Sequence, residues 1–380
     1  MGGRIGRTCW SDWSGPAGRI GPESTHVWKQ QPQGFFDVAR IDADGVFLPT
    51  GAECAQAVDW SGHKRDWGYH PLVVSLANTQ EPLFIVNRSG ARPSHEGAAE
   101  VLDRAIWLCL EAGFQRVMLR GDTDFSQTKF LDAWDNAGNV DFVFGMDASP
   151  RLVDIAQSLD ESAWSSLMRT QRIVDEDEER AKQLRHKDIM VVERGFRNLR
   201  LESEDIAEFH YGPVACNRQY RLVVVRKNIH VTKGQETLFP EVRYFFYISN
   251  LEKASARDIV REANQRCNQE NLHSHLKSGV HALRAPLKDL VSNWAYMVMT
   301  SLAWTFKAWF AMLMPISVEA AESDRAVSKR VLTMEFRSFV NNLMSLPVLV
   351  IESGRQVFLR LLTTTPWTSH LLRTAADFRQ

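Results

Sequence analysis

Paired cysteines are missing from this chain. Its five cysteines (Cys9, Cys54, Cys109, Cys216, Cys267) are scattered and form no CxxC pair. They point to neither a zinc site nor a disulfide framework, and a reducing cytoplasm is the default setting. Net charge is almost absent as well: 45 basic against 46 acidic residues leave −1. Global charge therefore gives no hint of nucleic acid, and any basic surface must be local. The basic start, Met1 to Arg7, is followed by no apolar run, so no signal peptide is expected. The most apolar segment, Val291 to Pro315, contains Asn293 and Lys307 and reads as a buried core helix, with no membrane span. Internal repeats and low-complexity tracts are also lacking.

What is present is an ordinary globular composition. Hydrophobic residues make up 44% and charged residues 24% of 380 residues. That allows one large domain with an insertion, or two to three smaller ones. Residues 1–34, rich in Gly, Ser, Pro and Trp, read as an irregular lead-in. Phe35 to Val46 alternates like a strand and turns Asp42 and Asp44 to one face, with Gly45 allowing close backbone approach behind them. Pro71 to Ala77 and Pro82 to Asn87 read as two further strands of an antiparallel meander. Ser94 to Ala112 reads as a helix closed by Gly113. Val117 to Leu119 is a strand buried on both faces, ending at Gly121-Asp122-Thr123-Asp124. Another helix, to about Ala137, and a strand, Val140 to Phe144, follow.

This order, β-β-β-α-β-α-β, defines an α/β core over residues 35–150. Arg151 to about Lys187, including the charged Asp175 to Arg180, reads as a solvated face. Strands at Ile189 to Glu193, Tyr220 to Arg226 and Val242 to Ile248 make residues 151–250 a β-rich insertion. The core resumes over 251–315, and 316–380 is expected as a helical tail holding Lys329 to Leu346 and Gln356 to Leu362.

The stretch Asn264 to Lys277 lacks Pro and Gly and reads as one helix. Arg266, Glu270 and Lys277 would share a face. A carboxylate between two cations suits a metal-dependent phosphodiester site, the acid binding the ion and the cations holding phosphates. An exposed salt-bridged helix face explains the same residues. Asp44 and Asp122, each at a strand end, complete a candidate trio of acids for two-metal chemistry, in which oxygen ligands favour Mg2+ or Mn2+. Local roles compete: Asp44 as a turn residue before Gly45, and Asp122 as a helix cap, although Asp124 is the better placed cap. Asp42-Ala43-Asp44-Gly45-Val46 also resembles the nucleophile motif of haloacid-dehalogenase-type phosphatases, with Asp42 as nucleophile. The antiparallel order after Asp44 argues against that reading. Arg218, Arg221, Arg226, Lys227 and His230 are candidates for a phosphate-facing patch, with a mixed-charge strand exterior as the plainer explanation.

Arg266, three residues, Glu270, six residues, Lys277 resembles the Y-(2)-R-(3)-E-(6)-K signature of DDE transposases of bacterial insertion sequences. Ala263 stands at the Tyr position, a departure that removes no metal ligand. Trp67 to Leu72, Asn87 to Gly90, Leu119 to Phe125 and Arg243 to Ile248 are similar, in family order, to the group 1 branch of these enzymes. The resemblance covers roughly residues 27–315. It implies an RNase H-like core interrupted by a β-rich insertion, with Asp44, Asp122 and Glu270 as the catalytic, metal-binding acids. It further implies that Arg266 and Lys277 hold transposon-end DNA, that two Mg2+ (or Mn2+) ions act there, and that the protein works on inverted-repeat ends and target DNA as a homodimer. The short lead-in implies an N-terminally truncated copy, for which an inactive, DNA-binding remnant is the remaining alternative.

Overall fold

A computed structural model describes residues 22–51, 55–62, 64–167, 199–231, 241–317 and 320–377. The expected strand at Ile189 to Glu193, the charged run Asp175 to Arg180 and most of the lead-in lie outside the described residues. The chain divides into two compact units, residues 1–121, 133–141 and 265–380, and residues 122–132 and 142–264.

The first unit begins with helix α1 (Pro22–Trp28). Its Trp28 is fully buried, so this part of the lead-in is ordered and packed. Strand β1 (Val38–Gly45), short strands β2 (Leu48–Pro49), β3 (Asp59–Ser61) and β4 (Asp66–Tyr69), and strands β5 (Leu72–Leu76) and β6 (Glu81–Val86) follow. Helix α2 (Ala98–Ala112) then leads to β7 (Arg116–Gly121). β1 pairs antiparallel with β5, and β5 with β6, while β7 returns parallel to the other side of β1. A parallel return needs a crossover, and α2 supplies it. The resulting order, β6-β5-β1-β7, is the antiparallel meander plus parallel fourth strand of an RNase H-like sheet.

Local chemistry accounts for these elements. All of β5 is buried, matching its near-continuous apolar run Leu-Val-Val-Ser-Leu. α2 buries Val101, Leu102, Ala105, Ile106, Leu108 and Cys109. It starts after Gly97 rather than at Ser94, because Gly97 takes a left-handed conformation (φ 70°) that breaks the helical path. Gly113, at φ 113°, ends it as expected.

The second unit contains the C-terminal part of β8 (Val140–Met146), helix α4 (Pro150–Ser158) and strands β9 (Ser165–Ser166), β10 (Leu199–Tyr211), β11 (Tyr220–Val231) and β12 (Glu241–Ser249), with α3 (Leu131–Asn136) preceding them in the chain. Its strands run antiparallel in the order β8-β12-β11-β10-β9. Arg221 pairs with Glu208 and donates to the carbonyls of Leu251 and Ala254. Arg226 lies over Trp164 and pairs with Glu161 and Asp205. Lys227 reaches Glu204 at 3.3 Å. These cations are balanced by neighbouring acids, so this strand is a mixed-charge exterior rather than a phosphate-facing patch. The His230 side chain lies outside the described residues.

After α5 (Ala256–Gln265) the first unit resumes with α6 (Asn268–Ser274), the long α7 (Leu290–Met312), α8 (Ala321–Thr333) and α9 (Phe336–Phe339). Among the described residues no helix is long and apolar enough to cross a membrane. Instead α7 buries Met297 and Trp304 in a core with Val73, Ile85, Leu272 and Leu276. The tail is helical only in part. Gln356 to Leu362, expected as helix, belongs mainly to a hairpin of β13 (Val348–Ser353) and β14 (Gln356–Leu361), before α10 (Thr368–Asp377). Gly354 at φ 62° makes the turn, and the β-branched residues of β13 favour the extended form.

Lys307 on α7 is buried, its Nζ over the Trp304 ring and donating to the carbonyls of Leu332 and Met334 at 2.8 and 2.6 Å. It therefore caps the end of α8 from inside. Burial pushes its ammonium down from 10.5 to about 7. Between those values the folded chain holds fewer protons than the unfolded chain, so stability rises with pH across that window. Thermal melts from about pH 7 to pH 10 should show this rise in the wild type and a flatter profile in Lys307→Met. An unchanged slope in the variant would refute the assignment.

Candidate active site

Asp42 and Asp44 lie one pleat apart on β1, and the structure gives them different environments. Asp42 faces Arg120, its register partner on β7. The two make a bidentate ion pair of 2.6 and 2.8 Å, and both side chains are only 2% exposed. A carboxylate sealed this way cannot reach a substrate phosphorus atom, so the Asp42 nucleophile of the phosphatase reading is overturned. Asp42 instead joins β1 to β7 beneath the strand ends.

Asp44 sits at the end of β1, its side chain 17% exposed. Arg266 Nη1 lies 3.5 Å and His273 Nδ1 3.7 Å from its Oδ2. Gly45 follows as a close-approach glycine: a Cβ there would lie 2.8 Å from His70 Nε2 and 3.0 Å from Ser94 Cβ. The expected reason for a glycine behind Asp44 is therefore present in the packing.

The stretch read as one helix is broken. α5 ends at Gln265, Arg266 and Cys267 form a turn, α6 runs from Asn268, and His275–Gly279 is a π-turn containing Lys277. Arg266 reaches Asp44 from the turn rather than from a continuous helix face. Glu270 is exposed in the first turn of α6. Helix spacing places it next to Gln269 and one turn from His273, at the solvent rim of the face that meets β1. Lys277 lies 3.5 Å from the Phe47 carbonyl. Burial of its stem and the Lys64 charge lower its ammonium pKa, while the Asp44 charge acts the other way.

Two residues in this stretch carry more than the sequence reading gave them. The Gln269 side-chain amide is buried and donates to the carbonyls of Asp42 and Val73, both at 3.2 Å, fastening α6 to β1 and β5. His273 is buried, and burial, with the Lys277 and Arg266 charges, pushes its imidazole down to about 3. It is therefore a neutral neighbour of Asp44. Their spacing was a usable signal: Gln269, Leu272, His273 and Leu276 form an i, i+3, i+4, i+7 buried stripe that includes two polar groups.

Asp44, Glu270, Arg266 and Lys277 belong to the first unit, and Asp122 opens the second. β7 ends at Gly121, and Asp122 is the next residue. Asp122, not Asp124, is the cap: its Oδ1 accepts the Asp124 amide at 3.1 Å. In the same unit Gly145 packs against it, since a Cβ there would lie 3.0 Å from the Asp122 carbonyl carbon. Among the described residues no group of three or more His, Cys, Asp or Glu side chains is gathered tightly enough to hold a metal ion. By donor type, however, the acids offer hard carboxylate oxygens and no thiolate, which suits Mg2+ or Mn2+.

The sequence matches the family described as transposase DDE domain, group 1, from residue 40 to residue 380, and the chain belongs to that family. A comparison with curated proteins finds no match. Among solved structures, a piggyBac transposase synaptic complex with hairpin DNA aligns with 81% of this chain and 55% of that chain, at 10% identity and a TM-score of 0.35. The chain thus spans about half the length of that structure's chain.

The buried pair gives a direct test of its structural role. Arg120→Met strands the Asp42 carboxylate and should cost about 3–5 kcal/mol of stability, whereas Asp42→Leu combined with Arg120→Met should recover most of it. Denaturant unfolding of the two variants measures this, and equal losses in both would contradict it.

Proposed function

We propose that this chain is the DNA-cleaving and strand-transferring transposase of a bacterial insertion-sequence element, with Asp44, Asp122 and Glu270 as its acids. The observation that carries the reading is the environment of Asp44. It is a strand-end carboxylate in a family of DDE transposases, with Arg266 beside it and the Glu270 helix fastened to its own strand through Gln269. Asp44, Asp122 and Glu270 would hold two Mg2+ or Mn2+ ions. When bound, the ions supply an activated water or 3′-hydroxyl and charge neutralisation at the leaving oxygen.

The chain's own residues do the rest. Arg266 and Lys277 bind the phosphates of the transposon end as charge-assisted donors. Burial first and the Lys64 charge second depress the Lys277 ammonium, and a bound phosphate would favour its charged form. Neutral His273 excludes water from the buried side of Asp44 without adding a competing positive charge. Asp122 uses one oxygen for its cap, and a carboxylate has lone pairs for a second partner. The protein would act in the cytoplasm on inverted-repeat ends and target DNA, as a homodimer on DNA.

Nicking of an inverted-repeat end by the purified chain should require Mg2+ or Mn2+. It should fall by at least about a hundredfold in Asp44→Asn, Asp122→Asn and Glu270→Ala, the scale expected when one preorganised charge at a reacting phosphate is lost. Circular dichroism should show all three folded. Full nicking by Glu270→Ala would sink the assignment of that acid, and binding without nicking by the wild type would leave a DNA-binding remnant.

A further inference from the structure

Among the described residues, β13 and β14 pair only with each other, in a sheet of two strands. Every residue of β13 and all but Leu361 of β14 are exposed. Val350, Val357 and Phe358 are among them, and Leu359 is 68% exposed. A two-stranded hairpin is marginal in water, and a third strand or a packed face is what stabilises it. By register, Val348, Val350, Val357, Leu359 and Leu361 share one face, while Leu349, Ile351 and Phe358 lie on the other. Apolar side chains gathered on both faces of so small an element mark an interaction site.

The free edge of β14 selects the partner. Exposed edges are ordinarily protected by Lys, Pro or a bulge. Gln356–Leu361 contains neither Lys nor Pro, and its register against β13 is unbroken. Leu362 donates its amide to the Pro347 carbonyl at 2.9 Å. Bonded pairs alternate along an antiparallel ladder, so Arg360 and Phe358 also turn their main-chain groups toward β13, and Val357, Leu359 and Leu361 turn theirs outward. A second β14, laid antiparallel about a two-fold axis at Leu359, complements these positions. Leu359 meets the partner's Leu359, Val357 meets the partner's Leu361, and Phe358 meets the partner's Arg360 as a cation–π pair. The β13 edge does not match itself in this way: Pro347 precedes it, and a two-fold axis at Val350 would set Val348 against the partner's Glu352. A lipid surface fits poorly, because the tip of the hairpin, Glu352-Ser353-Gly354-Arg355-Gln356, is polar.

We propose that two copies of this chain associate through their β14 edges, so that the two hairpins join into one four-stranded sheet in the order β13-β14-β14-β13. Main-chain bonds across the two-fold axis supply the affinity, and the apolar face of each hairpin is continued by the other. The proposal gives the homodimer of the reading above a surface, and it stands independently of the nicking chemistry at Asp44. The paired edge is short, which puts the association at the weak end of specific interfaces.

The experiment uses the full chain, without DNA, in sedimentation velocity over a micromolar concentration series. The wild type should sediment as a monomer–dimer equilibrium, and Leu359→Lys, which sets two ammonium groups face to face on the axis, should lose the dimer. Leu359 is exposed, so the variant keeps its fold, and a thermal melt checks this. A second variant tests the register. Leu359→Cys places two thiols on a bonded antiparallel pair, with Cα atoms about 5.5 Å apart and so within disulfide reach. With diamide as oxidant it should give a cross-linked dimer on a non-reducing gel, above the background that the native cysteines set in the wild type. Val350→Cys lies on the same face but on the outer strand, distant from its counterpart, and should give only that background. A wild type that stays monomeric overturns the interface, and nicking by that monomer would leave the transposase reading standing. A dimer that survives Leu359→Lys overturns it too, since the contact then lies elsewhere. Equal cross-linking at positions 350 and 359 also overturns it, because that result reports indiscriminate sticking of apolar hairpins.

Discussion

One side-chain amide sets the geometry on which the candidate site depends. Gln269 spends both of its N–H groups on main-chain carbonyls of two neighbouring strands, Asp42 on β1 and Val73 on β5. Each such bond contributes only about 1 kcal/mol net. The consequence is positional. A helix gripped at one residue by two strands can neither slide along them nor rotate freely. Glu270 is therefore kept at the rim above β1, and His273 against Asp44.

Asp42 and Asp44 show how one strand face yields two chemistries. Alternation turns both to the same side, and composition cannot separate them. The difference lies in what the parallel neighbour presents. Opposite Asp42 is Arg120, deep in the sheet, and in that low-polarity setting a carboxylate and a guanidinium are tolerable only as a closed pair. Two residues on, the strand has reached its end. The charge beside Asp44 comes from a turn residue, Arg266, at a looser 3.5 Å, and part of the carboxylate still meets solvent. The first arrangement holds the sheet together, and the second leaves a group able to exchange partners.

Much of this was legible from residue order. The meander, the crossover helix closed by Gly113, the buried β7 ending before Asp122 and the close-approach role of Gly45 all follow from local patterns of period and turn chemistry. The misreadings have a common physical origin in long-range contacts. α2 starts at Ala98 rather than at Ser94 because of the left-handed backbone of Gly97, which the pattern of apolar residues does not reveal. The Arg266–Cys267 break was invisible because neither residue is a helix breaker. The partner of Asp42 lies 78 residues away, and nothing at Asp42 announces it. α1 looked irregular because its stability comes from outside the segment. Its Trp28 and Ser24 both donate to the buried Glu81, which also accepts the Trp309 indole. Gln356 to Leu362 looked helical by composition, but the turn at Gly354 and the β-branched residues of β13 favour a hairpin.

The near-zero net charge is consistent with these local arrangements. Several cations with structural tasks are neutralised nearby: Arg116 by Asp141, Arg221 by Glu208, Arg226 by Glu161 and Asp205, Arg373 by Asp324. Around Asp44 the balance differs. Arg266, Lys277 and the Lys64 field converge on a region whose near carboxylate is Asp44, and His273 stays neutral there. In the site proposed above, the Arg266, Lys277 and Lys64 charges would act on a polyanion only at short range, within roughly a Debye length of 8–10 Å, without the non-specific affinity that a globally basic chain would show.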